Sequence, residues 1–328
     1  MIIQFVTKSQ IPAKKYGGKE RALWSLLKAL KNSGHKLKLI APIGSVCPFA
    51  DITPFDPKLP IEQQIDSRCD IVHFDYPLHR EFEQKPYLCR QGGNGQQGEI
   101  FAKNTVFVSR NSAHRHGGEY FILNGIDAEE YGDPALNMKR EYVHFLAKAA
   151  WKVKNLKGSI EISKMAGEHL EVIGGNRINF KMGFRVTLSL HVNFNGIIGG
   201  EKKLNIIRGS KALLYPVLWH EPCANAVFES LYYGCPVFGT TWGFLPEIIN
   251  KEMGFLTNSK SAMAEALKNA SSFNRKAIHE HLMEHHSIAR VANEYMKAYE
   301  LILEGKTLNA KTPVAIIPEP AGYFKMVE

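Results

Sequence analysis

No stretch of the sequence approaches the roughly 18 consecutive apolar residues that a membrane-spanning helix needs, which sets aside a helical membrane protein. The first residues do not read as a secretory leader either: after Met1-Ile2-Ile3-Gln4-Phe5-Val6 the apolar run stops, with no small-residue cleavage site behind it. A cytoplasmic location is the expectation. Cysteine is scarce. Cys47, Cys69, Cys89, Cys223 and Cys235 are odd in number, and no pair has zinc-ligand or C-x-x-C spacing, so they read as reduced small hydrophobes. Zinc-finger patterns, RNA-binding aromatic signatures and long arginine-rich runs are absent, which argues against nucleic acid as a partner. Acidic residues are in deficit, 32 against 41 basic, for a net charge of +9. Such a surface favours phosphorylated ligands or anionic lipid, and peripheral association with an anionic membrane is one expected partner mode.

What is present is ordinary globular composition, 45% hydrophobic and 22% charged. At 328 residues the chain exceeds the roughly 250 to 300 at which single cores stop growing, so two domains are expected. Ile2 to Thr7 reads as a strand. The helix Glu20 to Ser33 puts Leu23, Leu26, Leu27 and Leu30 on one stripe and is closed by Gly34; Leu37 to Ala41 is the next strand. Strand, helix, strand without a hairpin is the grammar of a parallel sheet. Asp70 to Phe74, Tyr87 to Cys89 and Thr105 to Ser109 extend it.

A second start follows at Tyr142 to Ala147, with a helix over Leu156 to Ala166, a strand over Leu170 to Ile173 and a Gly174-Gly175 turn. Ala212 to Pro216, Ala226 to Tyr233 and Pro236 to Gly239 continue the alternation. The polar stretch Ala128 to Arg140 is read as a linker, the run Ile288 to Leu303 as a helix long enough to cross between lobes, and the tail from Gly305 as an extended strap. The expected division is an N-terminal lobe over 1–137, joined by 288–328, and a C-terminal lobe over 138–287.

Two segments have the composition of a ligand site. Near the start, Lys14-Lys15-Tyr16-Gly17-Gly18-Lys19-Glu20-Arg21 joins strand to helix; Gly17 and Gly18 allow close backbone approach, and helix-start amides can meet an anion. A plain turn explains two glycines equally well. In the second half, the strand Ala212 to Pro216 leads into Val217-Leu218-Trp219-His220-Glu221-Pro222-Cys223-Ala224 and the helix from Asn225. Pro222 holds Glu221 out of helical geometry, and Asn225 is a candidate cap beside amides that would face a diphosphate. Glu229 sits one turn inside an apolar helix, where either a pair of ribose hydroxyls or a buried salt bridge would satisfy it.

The pattern Glu221-Pro222 to Glu229, followed by Tyr233-Gly234-Cys235-Pro236-Val237-Phe238-Gly239-Thr240-Thr241-Trp242-Gly243-Phe244-Leu245-Pro246-Glu247 and Gly254-Phe255-Leu256, resembles the donor region of retaining glycosyltransferases of family 4. The family's G-G-x-E-R loop is matched by Gly17, Gly18, Glu20 and Arg21, and its asparagine-glycine-isoleucine-aspartate element by Asn124 to Asp127. The resemblance implies an α/β GT-B-like fold, with two Rossmann-like lobes whose parallel sheets face an interdomain cleft. It implies transfer of a sugar, with retention, from a UDP- or GDP-type donor to a saccharide, lipid-linked or small-molecule acceptor. The donor is a co-substrate, with no permanently bound cofactor and no metal requirement.

Carried over residue by residue, Glu221 would contact the transferred sugar and Glu229 the ribose. Gly17, Gly18, Cys223, Ala224 and Asn225 would lie along the donor. Lys148 would replace the family's arginine, keeping the charge and losing the bidentate fork, and Lys154 would be the second diphosphate lysine, with Lys152 and Lys157 leaving its register open. This chain departs from the family at Gln91, which stands at the apparent position of a histidine and cannot exchange a proton as imidazole does. His73 and His79 are accessible alternatives, although a packed strand-end histidine accounts for His73 equally well. Ala224 also replaces a common glycine, and Gly92 to Gly98 reads as a mobile loop. Competing readings are a noncatalytic sugar-nucleotide-binding protein and a sugar-nucleotide epimerase.

Overall fold

The computed structural model describes residues 1–13, 17–180, 182–316 and 324–328. The chain divides into two compact units, Met1–Asp127 with His286–Glu319 and Ala128–His285 with Pro320–Glu328. Each is built on one all-parallel sheet of six strands.

In the first unit the strands are β1 (Ile2–Val6), β2 (Lys36–Ala41), β3 (Asp51–Pro54), β4 (Ile71–Phe74), β5 (Tyr87–Gln91) and β6 (Thr105–Phe107), ordered β3-β2-β1-β4-β5-β6. The inner strands β4 and β5 are buried along their whole length, His73, Arg90 and Gln91 included. Helix α1 (Gly18–Asn32) buries Leu23, Leu26, Leu27 and Leu30, the stripe its spacing predicts. The short α2 (Arg110–Arg115) is capped by Ser109, whose side chain accepts from the Ser112 amide.

The second unit carries β7 (Tyr142–Leu146), α3 (Leu156–Ala166), β8 (Leu170–Ile173), the antiparallel hairpin β9 (Ile178–Asn179) and β10 (Arg185–Val186), β11 (Val192–Phe194), α4 (Gly200–Arg208), β12 (Ser210–Tyr215), α5 (Asn225–Tyr232), β13 (Val237–Gly239), α6 (Leu245–Ile248), β14 (Gly254–Leu256), α7 (Lys260–Leu267) and α8 (Arg275–His286). Its sheet runs β11-β8-β7-β12-β13-β14.

The chain then returns to the first unit through α9 (Ile288–Leu303), which buries Val291, Ala292, Tyr295, Ala298, Tyr299 and Ile302. The Asn124-to-Asp127 element receives this helix. The Ile126 amide donates to the His286 carbonyl at 2.9 Å, and a Cβ on Gly125 would lie 2.6 Å from Val291 Cγ2 and 2.8 Å from the His286 oxygen. Glycine is required there for the close approach of the returning chain.

Three expectations differ from the structure. Ala128 to Arg140 is packed rather than linking: Tyr131 and Arg140 are buried, and Arg140 donates to the carbonyls of Ser210 at 2.9 Å and Tyr233 at 2.8 Å. The tail is shared. Ala315 pairs with Gly98 and Glu99 in the first unit, whereas the Phe324 amide donates to Leu218 and the Val327 amide to Asn258 in the second, each at 2.9 Å; the tail residues 317–323 lie outside the described residues. Gly92 to Gly98, read as mobile, is tied down by the Gly95 amide on His116 Nε2 at 2.7 Å and by Arg115 on Asn94 at 2.8 Å.

Candidate functional site

In an open parallel sheet, ligands sit beyond the carboxyl ends of the strands, where the strand order reverses. In the second unit that point lies between β7 and β12, and the residues following those two strands build the site.

After β7 the chain runs through Ala147-Lys148. Gly174, at φ +110°, lets the β8 turn press against the Ala147 carbonyl where a Cβ would collide with it, and the Ala149 amide donates to Gly174 at 2.9 Å. Lys148 is half-buried with its ammonium 5.1 Å from the centre of the Trp151 ring. A turn of 3-10 helix over Lys152–Lys154 ends at Asn155, whose side chain accepts from the Gly158 amide at 3.0 Å and donates to the Pro216 carbonyl at 2.8 Å. That second bond ties the β7 loop to the end of β12 and delivers Lys154 to Glu221. Lys152 and Lys157 are exposed, so among the three lysines whose register the sequence leaves open, Lys154 is the buried one.

Glu221 is buried, and among the described residues Oε2 takes every hydrogen bond of its carboxylate: from Lys154, from the Tyr215 hydroxyl at 3.1 Å and from the Trp219 indole at 2.8 Å. Oε1 is left as an acceptor. The loop is held from behind by Gly243, at φ +76°, where a Cβ would fall on the Glu221 backbone, and by the Phe244 amide on the Glu221 carbonyl at 3.0 Å. Gly243 thus serves the loop's own backbone.

Helix α5 begins at Asn225, and its N-cap is Ala224, with no side-chain cap hydrogen bond. Asn225 is therefore the first helical residue and not the cap expected from sequence, because the loop keeps its extended geometry through Ala224. Cys223 is half-buried beside it. Eight residues beyond Glu221, Glu229 is buried with both oxygens engaged: Tyr131 donates to Oε1 at 3.0 Å and Lys203 to Oε2 at 2.7 Å. Of the two alternatives for Glu229, this structure contains the salt bridge. Lys203 and Tyr131 were missed in the sequence, the first on a helix that was not read and the second inside the supposed linker. For Tyr131 the one signal in the sequence was an aromatic hydroxyl in an otherwise polar stretch.

In the first unit, Gly17 caps α1 and Gly18 starts it; Lys14, Lys15 and Tyr16 of that loop lie outside the described residues. Gln91 is buried at the end of β5. Of the two readings open for His73, accessible or packed at the strand end, the structure contains the packed one. The ring is wholly enclosed, stacked on Phe5 at 4.6 Å, with Nδ1 2.6 Å from the Tyr299 hydroxyl, and burial, with Arg90 adding to it, pushes its pKa down to about 3. A strand buried on both faces leaves it no route to solvent. His79 is exposed and faces Glu99. A second charged group, also unread in the sequence, gathers at this sheet's reversal point between β1 and β4. Arg90 and Lys19 each approach the buried Asp75 at 3.4 Å, and Arg90 donates to Asn124 at 2.8 Å. Burial raises the Asp75 carboxyl pKa and the two cations oppose that rise.

Two all-parallel six-stranded sheets, each with charged residues at its reversal point, define a GT-B-type fold. The family described as glycosyl transferases group 1 matches residues 135–272, the span that holds Lys154, Lys203, Glu221 and Glu229. No curated protein matches the chain. Solved structures with the same fold include AviGT4, a glycosyltransferase involved in avilamycin A biosynthesis, at 19% identity and a TM-score of 0.74, covering 93% of this chain and 99% of that one. Sucrose-phosphate synthase from Thermosynechococcus elongatus aligns at 15% identity and a TM-score of 0.69, over 93% and 100% of the two chains. HepE from Anabaena, solved in complex with UDP-glucose, aligns at 13% identity and a TM-score of 0.64, over 92% and 99%.

Proposed function

We propose that the protein is a glycosyltransferase of the retaining family 4 type, moving a sugar from a UDP- or GDP-linked donor to a saccharide, lipid-linked or small-molecule acceptor. The observation that carries the reading is the pair of buried carboxylates on one loop and helix, each facing a buried lysine. The match of this span to a glycosyltransferase family and the UDP-glucose held by a protein of the same fold support it.

In this reading the second unit holds the donor and the first the acceptor. The diphosphate lies over the start of α5, with Lys148 and Lys154 meeting its charge. Glu221 accepts a sugar hydroxyl through Oε1, and Glu229 turns one oxygen to the ribose. As the anomeric carbon–oxygen bond breaks, its electron pair leaves with the diphosphate, where fixed cations and amides stabilise it. The acceptor hydroxyl attacks from the same face and passes its proton to a diphosphate oxygen. The protein works in the cytoplasm, peripheral to the inner face of a membrane.

Gln91 favours a second reading, in which the protein binds the sugar nucleotide without turnover. Calorimetric titration with UDP, GDP and ADP, without added metal, tests the site; no binding by any of them would sink both readings. Incubation with the donor that binds then separates them, since release of free nucleoside diphosphate excludes the noncatalytic one.

A further inference from the structure

From Ile178 to Leu190 the sequence alternates without a break. Ile178, Phe180, Met182, Phe184, Val186, Leu188 and Leu190 are apolar, and the residues between them are polar, charged or glycine. A period of two ordinarily puts the apolar face against a core. Here the orientation is reversed. All seven apolar side chains are exposed, with Phe180 at 77%, Phe184 at 72%, Leu188 at 84% and Leu190 at 92%.

The polar side is what the hairpin turns to its own unit. Arg185 donates to the Ala149 carbonyl at 2.7 Å, Arg177 donates to the carbonyls of Thr187 at 3.0 Å, Ser189 at 2.8 Å and Val192 at 2.7 Å, and Thr187 is buried. A one-residue slip would exchange the two faces, so these bonds fix the apolar face outward. The Phe180 and Phe184 rings lie 5.6 Å apart, and Ile197 is exposed as well.

Charge identifies the occupant. Between Glu171 and Glu201 the sequence has no aspartate or glutamate, so no acidic side chain of that span opposes an anionic surface, and the whole chain carries +9. Exposed aromatic and aliphatic side chains on an acid-free span of a cationic chain fit the boundary between the phosphate headgroups and acyl chains of an anionic bilayer. A second copy would instead bring together two chains that each carry +9.

We propose that the β9–β10 hairpin is a membrane-docking ribbon that lays its apolar face into an anionic lipid surface. This deepens the membrane part of the reading above and rests on that part alone.

The test is flotation of the full chain, without donor or acceptor, with vesicles of phosphatidylcholine and of phosphatidylcholine mixed with phosphatidylglycerol. The chain should float with the anionic vesicles, less so at high salt, and the Phe180→Ser/Phe184→Ser/Leu188→Ser variant should bind about tenfold or more weakly. Failure of the wild type to float, or undiminished binding by the triple variant, would overturn the proposal. So would a wild type that dimerises without touching vesicles and becomes monomeric in the triple variant, which would assign the ribbon to a second copy. Nucleoside diphosphate binding by the triple variant should be unchanged, so a failure of docking and a failure of the donor reading are read separately.

Discussion

Glu221 and Lys154 are both buried and are each other's main compensation, and that makes two effects of mutation separable. Lys154→Met leaves a buried carboxylate without its cation, which costs about 3 kcal/mol of stability. The same change removes a charge from the proposed diphosphate position and should lower transfer by about 10² to 10³. In Lys154→Met/Glu221→Leu the unpaired charge is gone, so thermal stability should return toward wild type while transfer stays lost. If stability and transfer recover together, the pair is structural only. Glu229 and Lys203 form the second such pair. Glu229→Gln should weaken nucleoside diphosphate binding by about tenfold, the worth of one charge-assisted hydrogen bond, and adding Lys203→Met should restore melting temperature without restoring affinity. Unchanged affinity in Glu229→Gln would remove the ribose from this residue's roles.

The loop that carries Glu221 owes its position to other elements. Gly243 occupies left-handed space against the Glu221 backbone, so Gly243→Ala adds both strain and collision. It should cost about 2 kcal/mol or more and lower the melting temperature by roughly 4 °C or more, with transfer falling further than donor binding. An unchanged melting temperature would mean that the loop yields freely. The tail leans on the same loop: the Phe324 ring lies 4.7 Å from Trp242 and 4.9 Å from His220. The sequence announced this strand-loop-helix because Pro222, Gly243 and the apolar run of α5 are local signals. It could not announce Lys203 or Tyr131, which reach Glu229 from distant segments through packing alone. The alternation of Ile178 to Leu190 was visible too, but a two-residue period does not say which face meets the core, and nothing local revealed that Arg177 and Arg185 would anchor the polar side. His73 was left open for a different reason. A strand-end histidine looks the same in sequence whether it faces a cleft or a core, and Tyr299, which encloses it, arrives only after the chain has passed through the second unit.

At the scale of the whole molecule, each unit hides one neutral histidine in its sheet, and this sets a common response to acid. Burial, reinforced by Arg90, holds His73 down to about 3; burial, reinforced by Arg140, does the same to His144, which sits between the hydroxyls of Ser210 at 2.7 Å and Ser230 at 2.9 Å. In the unfolded chain both return to 6.5. A depressed folded pKa means that the unfolded state binds the proton first. The contribution is therefore whole above 6.5 and is lost as pH falls from there toward 3. Each histidine should cost its unit about 2 kcal/mol between pH 7 and pH 5. His73→Asn and His144→Asn will be less stable at neutral pH, because each loses a fitted ring. The informative quantity is the slope: between pH 7 and pH 5 the melting temperature of each variant's own unit should fall less steeply than in the wild type. Equal slopes would mean that other groups carry the acid response and that the two enclosed imidazoles do not govern it.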